Sequence, residues 1–239
     1  MDSNIDRVIS TAEEFGISVS EDEARMLLKH VNLVNEKNKV INLTRITSID
    51  EAIDRHIVDS LLYLKEIDSL KDGSQLCDIG TGAGFPGIPV AIMTKFKVDM
   101  IDSVGKKVNC VNSFIDELAL NARCQAIHIR VEDLARTNKS KYDYVTARAV
   151  AKLRILVEYA APLLKKNASL VVSKGNLSSD ELDEALKTAD ICGMKIVSRE
   201  TFELPNDSGH RELLKFVKFR NSKIHLPRRT GEAKQKPLY

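Results

Sequence analysis

Residues 78–87, Asp78-Ile-Gly-Thr-Gly-Ala-Gly-Phe-Pro-Gly87, constrain this chain more than any other stretch. They follow the apolar pair Leu76-Cys77 and precede Ile88-Pro-Val-Ala-Ile-Met93, the pattern of a strand, a glycine turn and a helix start. Alternate glycines let a backbone take positive φ at little cost and pass close to something bulky. Gly80, Gly82 and Gly84 weaken strand and helix alike, so a ligand is the simplest reason for them. Pro86 suits the first turn of the helix that follows.

Asp78 bears on which ligand. A turn built for a pyrophosphate offers helix-start N–H groups to negative charge. An acid at the strand's end instead suits a positively charged cofactor, and S-adenosyl-L-methionine carries a sulfonium, an ammonium and one carboxylate. Gly82-Ala-Gly84-Phe-Pro-Gly87 also satisfies G-x-G-x-x-G, and Asp102 lies about where a dinucleotide fold keeps its ribose-binding acid. The phase is late for that reading, because the first turn glycine after the strand is Gly80. About 70 residues also precede the motif. An NAD-dependent oxidoreductase remains the alternative from another class, and a non-catalytic RNA-binding module a third.

The surrounding pattern divides the chain into a helical N-terminal extension (1–72), an α/β domain (73–220) and a basic C-terminal arm (221–239). Ser20-Glu-Asp-Glu23 and Ser48-Ile-Asp-Glu51 are capping boxes. Behind them Ala24, Leu27, Leu28, Val31 and Val34, then Ile53, Ile57, Leu61 and Leu64, recur at helical spacing. From residue 75 strands are predicted at 75–79, 97–102, 125–130, 143–147, 168–173, 194–203 and 212–219. Helices are predicted near 86–95, 105–121, 151–164 and 178–192. The alternation implies a mostly parallel seven-stranded sheet covered on both faces. Only Leu204–His210 joins the last two strands, too short for a parallel crossover, so the final strand should run antiparallel. That is the Rossmann-like layout of class I methyltransferases. Residues 220–239, with Pro227, Gly231 and Pro237 among six bases, read as extended.

Charge is unevenly spread. Residues 1–70 hold 14 acids and 8 bases, whereas 211–239 hold 9 bases and 2 acids. A basic end of that kind suits a polyanion. The four cysteines form no C-x-x-C pair and the five histidines no ligand spacing, so buried thiols in a reducing cytosol and no metal are expected. No apolar run reaches the ~18 residues of a membrane span.

Strand ends supply the candidate site residues, because ligands of open α/β sheets bind beyond the carboxyl ends of the strands. Asp102 ends the second strand and can accept both ribose hydroxyls, whereas its rival Asp99 lies mid-strand. Val131-Glu132-Asp133 follows the third strand and could receive an adenine edge. Arg148 closes the fourth and Lys174 the fifth, both at the crevice. Lys106 and Lys107 open a helix against its dipole, which bound phosphate would explain. Neither a [DNS]-P-P-[YFW] run nor a Pro-Cys nucleophile is present, so chemistry on an exocyclic amine or through a covalent intermediate is disfavoured.

These segments resemble the bacterial ribosomal RNA small subunit methyltransferase G family, formerly glucose-inhibited division protein B. The likeness rests on Asn42-Leu-Thr44, Arg55-His-Ile-Val-Asp-Ser-Leu61, Asp78 to Pro89, Asp102-Ser-Val-Gly-Lys-Lys107, Ala147-Arg-Ala149, Lys174-Gly175, Pro227-Arg-Arg-Thr-Gly231 and Lys236-Pro-Leu238. Val104, Thr230 and Glu232 depart from the family's usual residues. The resemblance implies a cytoplasmic enzyme that uses S-adenosyl-L-methionine to methylate guanine N7 in 16S rRNA, at guanine 527 of the decoding-region loop; a monomer is expected, though the sequence does not set the oligomeric state. It implies cofactor contacts at Gly80, Phe85, Val131, Glu132 and Arg148, to which the physical argument adds Asp102. Arg148 and Lys174 are the catalytic candidates, and Phe85 is expected on the cofactor or in the target pocket. Lys106, Lys107, Arg228 and Arg229, with Lys234 and Lys236, are the candidates for phosphate.

Overall fold

The computed structural model describes residues 3–67 and 71–239. The end of the helical reading at 68–70, and residues 1 and 2, lie outside them. Helix α1 (Ser3–Glu14) leads to α2 (Glu21–Asn38), whose Ser20–Glu23 capping box is complete. A second helical run covers 49–66. It comprises α3 (Ile49–Ala52), a π-helical turn (Ile53–Val58), α4 (Asp59–Leu61) and a 3₁₀ turn (Leu62–Glu66). Ser48 caps Glu51 N–H there, but the Glu51 carboxylate pairs with Arg55 instead of closing the box.

Strand and helix then alternate through β1 (Gln75–Ile79), α5 (Gly87–Met93), β2 (Lys97–Asp102), α6 (Gly105–Glu117), β3 (Cys124–His128), α7 (Val131–Thr137), β4 (Tyr142–Arg148), α8 (Leu153–Ala160) and β5 (Leu164–Lys174). Helix α9 (Ser179–Cys192), β6 (Met194–Leu204), β7 (Gly209–Lys218) and α10 (Glu232–Gln235) complete the chain. The seven strands lie in the order β3-β2-β1-β4-β5-β7-β6. β1 to β5 are parallel, and β7 runs antiparallel to both its neighbours, as the short Leu204–His210 link requires.

Strand alternation feeds two cores. Leu76, Met100, Val171 and Leu213 face one side, where they join Val8, Leu27, Val31, Ile57, Leu61 and Phe114. Cys77, Ile101, Val172 and Leu214 face the other, against Leu134, Leu156, Ala185 and Ala189. The helices before β1 therefore share a core with the sheet. All four cysteines are buried, and burial pushes the Cys124 thiol up to about 11.

Three sequence expectations are corrected. The helix predicted over 151–164 ends at Ala160, because Pro162 cannot continue it, and β5 begins at Leu164. A helix not predicted from sequence, α7, begins at Val131-Glu-Asp133 and buries Val131, Leu134 and Ala135. The tail is not extended. Leu226 and Ala233 are buried in the second core, and Arg228 holds Glu158 of α8 through Nε and Nη2 at 2.8 and 2.6 Å.

Candidate active site

The glycine loop is tied to the end of β2. Gly80 and Thr81 N–H donate to Ile101 carbonyl at 2.8 and 3.0 Å. Gly82 N–H donates to Asp102 Oδ2 at 3.1 Å, and Val104 N–H to Asp102 Oδ1 at 2.9 Å. Gly80 has φ +68°, and a Cβ there would stand 2.5 Å from Val150 Cγ2. The loop therefore has no room for a side chain at its closest approach to the strand-end Val150.

Asp78 faces inward, which corrects the idea that it meets the cofactor. Its carboxylate is fully buried and accepts from Gly87 N–H at 3.1 Å and Thr146 Oγ1 at 2.9 Å. Burial outweighs these bonds and pushes the carboxyl up to about 6. Ile88 N–H at the same helix start donates to Gly84 carbonyl. The N-terminus of α5 thus already holds a carboxylate and has little left for a diphosphate, which weakens the dinucleotide alternative.

Two clefts open beyond the strand ends. The first, about 270 Å³, is bounded by Gly80, Asp102, Val104, Lys107, Ile129, Val131, Glu132 and Lys234. Asp102 keeps a second lone pair on each oxygen, suited to a pair of vicinal hydroxyls, and the valines and Ile129 offer an apolar wall. That is the chemistry of a nucleoside, and Lys234 brings the C-terminal segment to it. Gly231 N–H fixes that segment by donating to Glu132 Oε1 at 2.8 Å. Asp99 lies elsewhere, bonded to Lys141, Gln125 and Tyr142.

The second cleft, about 440 Å³, is bounded by Arg55, His56, Asp59, Arg148, Ser173, Lys174, Glu181 and Arg211. Both clefts include Ala149, a non-glycine residue at φ 55° at the exit of β4. Asp59 is the hub of the second cleft. Its Oδ2 accepts from Arg148 Nη1 at 3.1 Å and its Oδ1 from Ser173 Oγ at 3.0 Å, while Arg211 Nε forms an ion pair with Oδ1 at 3.1 Å. Two guanidiniums on one buried carboxylate leave the cleft positive. Lys174 adds little to this, since its ammonium is held by Glu181 at 2.8 Å and Ala151 carbonyl at 3.2 Å.

Of the predicted residues, Gly80, Asp102, Val131, Glu132 and Lys107 bound the first cleft, and Arg148 and Lys174 the second. Phe85 bounds neither. Its ring packs against His30 and His56, with centroids 4.4 Å from each, and Arg148 stands 5.3 Å from it. Phe85 is thus buried against the protein's own side chains. Lys106 and Arg229 are exposed, whereas Arg228 is committed to Glu158. Asp59, His56 and Arg211 were not singled out from sequence. The first two fall in the Arg55–Leu61 segment that carries the resemblance, while Arg211 had no local signal.

Comparison with known proteins places this geometry. The family model for rRNA small subunit methyltransferase G (GidB) matches residues 23–211. The ribosomal RNA small subunit methyltransferase G of Desulfitobacterium hafniense (strain Y51) is 37% identical over 231 residues, covering 95% of each chain. Geranyl diphosphate methyltransferase in complex with SAM superposes with TM-score 0.56 at 11% identity, over 66% of this chain and 84% of that one. The [4+2]-cyclase SpnF does so with TM-score 0.56 at 14% identity, over 68% and 82%. A cyclase and a methyltransferase fit the same sheet, so the structural likeness carries the fold alone.

Proposed function

Because the chain belongs to the rRNA small subunit methyltransferase G family, we propose that it transfers a methyl group from S-adenosyl-L-methionine to N7 of a guanine in 16S rRNA. The resemblance puts that base at guanine 527. The observation that carries the reading is the pair of clefts meeting at Ala149, one of nucleoside character and one positively charged.

The first cleft fits the cofactor: Asp102 for the ribose hydroxyls, Val104, Ile129 and Val131 for the adenine, and Gly80 for close approach. When bound, S-adenosyl-L-methionine supplies a methyl group activated by its sulfonium. Guanine N7 carries an in-plane lone pair and no proton, so the chain need not provide a general base. What the residues contribute is alignment and exclusion of water. On the guanine edge O6 and N7 are neighbouring acceptors. A guanidinium on N7 would block attack, so Arg148 and Arg211 serve the O6 side or a phosphate and leave N7 free.

A base in folded RNA must be turned out of its stack to enter such a cleft, and loops release bases most cheaply. Lys106 and Arg229 are exposed cations for neighbouring phosphates, with the half-buried Lys107 beside the first cleft; Arg228 is better explained as a tether of the tail. One chain completes both clefts, which supports a monomeric enzyme, and an rRNA substrate supports a cytoplasmic one. The test is borohydride–aniline cleavage of 16S rRNA from cells with and without the protein. Loss of one 7-methylguanine signal in its absence is expected; an unchanged pattern rejects the reading.

A further inference from the structure

The second cleft contains a side chain with no assigned role, His56, whose ring contacts tie Arg148 to the glycine loop. Arg148 donates through Nη1 to Arg55 carbonyl at 3.0 Å and to Asp59, and Nη2 lies 3.4 Å from His56 Nδ1. A guanidinium has donors only. His56 Nδ1 can accept from Arg148 when the ring proton resides on Nε2. Nε2 then faces Thr44 Oγ1 at 3.0 Å, and the same oxygen accepts Ile46 N–H at 3.1 Å. Thr44 is itself braced, since Asn38 Oδ1 accepts its N–H at 3.0 Å and Asn38 Nδ2 donates to its carbonyl at 2.9 Å. The imidazole is stacked on Phe85 at 14° between planes, and Phe85 belongs to the glycine loop. Burial and the nearby Arg148 charge push His56 down to about 3, so the ring is neutral at neutral pH.

We infer that His56, as the neutral Nε2–H tautomer, is a positioning residue that sets the plane of Arg148 and so directs its remaining N–H groups into the target cleft. This rests on the proposed methyl transfer. Asp59 and the Arg55 carbonyl both hold Nη1, one end of the guanidinium. An acceptor at Nη2 holds the other end and resists tilting of the group under load. The stack on Phe85 adds a link from the cofactor loop, through Phe85 and His56, to Arg148. Methyl donor and acceptor sites are thereby held in one frame.

The experiment compares wild type with His56→Ala, His56→Asn and Thr44→Val, each as the full chain. It follows methyl transfer to 16S rRNA and the calorimetric affinity for S-adenosylhomocysteine. Asn can place an amide oxygen close to where Nδ1 lies. His56→Ala should lower kcat about 10- to 100-fold and leave S-adenosylhomocysteine affinity within about twofold, the mark of an interaction used in the transition state. His56→Asn should recover most of kcat, and Thr44→Val should lose about fivefold with the same split. If Asn is no better than Ala, or if the loss is all in cofactor affinity, the inference fails. If His56→Ala does not fold, an unchanged kcat in Thr44→Val overturns it. Long-range ¹H–¹⁵N NMR of the wild type should show the neutral Nε2–H form; an Nδ1–H pattern also overturns it. Wild type that makes no 7-methylguanine sinks the functional reading, and this inference with it.

Discussion

Two buried carboxylates, Asp78 at the base of the glycine loop and Asp59 in the second cleft, differ in their partners. Asp78 is held by two neutral donors, a backbone N–H and a threonine hydroxyl. Asp59 is held by two guanidiniums and a serine. The first arrangement shapes a backbone turn and keeps its charge inside. The second gathers positive charge around a space large enough for a base. Glycine loop and second cleft thus use the same residue type with opposite electrostatic results.

The sharpest way to break this contrast is Asp59→Leu. It leaves Arg148 and Arg211 without their shared anion, and loss of one partner from a buried pair typically costs about 3–5 kcal/mol. Urea unfolding should show that loss; a drop under about 1 kcal/mol would mean that the carboxylate is not the hub. Arg148→Ala comes next. It should lower kcat on RNA by about 10²–10³, as for removal of a preorganised donor, with S-adenosylhomocysteine affinity nearly unchanged. Normal turnover at saturating cofactor and RNA would remove Arg148 from the mechanism.

Asp78 gives the pH-dependent counterpart. Its carboxyl rises from 3.8 to about 6 on folding, so the folded state holds the proton more tightly than the unfolded chain. Its contribution to stability is full below about pH 4 and is lost as pH rises through about 6, by up to about 3 kcal/mol. Asp78→Asn should abolish that decline. Parallel stability–pH curves for wild type and variant would show that Asp78 is not held this way. Asp102→Ala is smaller still, a weakening of S-adenosylhomocysteine by about 10-fold with kcat nearly retained, in line with about 1.5 kcal/mol for a hydrogen bond to a charged group. The smallest effect is expected for Lys106→Ala or Lys107→Ala, each flattening the salt dependence of RNA binding by about one unit of slope. An unaltered slope would place the phosphates elsewhere.

The same contrast explains what could be seen in the sequence. The first cleft is assembled from the ends of three successive strands, so Gly80, Asp102, Val131 and Glu132 follow from alternation and a contiguous motif. The antiparallel β7 followed from loop length alone. The second cleft is assembled by strand order. Asp59 meets Ser173 and Arg211 only because β4, β5 and β7 are neighbours and the helical run 49–66 lies across them. No spacing rule connects those positions. Misjudged side chains have the same cause: Phe85 and Asp78 turn inward, and Arg228 finds Glu158 across 70 residues of sequence. A short helix such as α7 offers only Val131, Leu134 and Ala135 as periodic signal, too little to stand out beside a strand end.

The π-helical turn at Ile53–Val58 has a consequence for reading relatives. Such a turn accommodates an extra residue within an otherwise α-helical stretch. Deleting one residue there would yield a more regular helix, yet it would swing Asp59 and Tyr63 about 100° around the axis relative to Arg7-bound Asp54. Asp59 would then leave Arg148, and the Tyr63 hydroxyl the Ala147 carbonyl. A gap within these six positions would therefore be a surer sign of altered target chemistry than a substitution at any one of them.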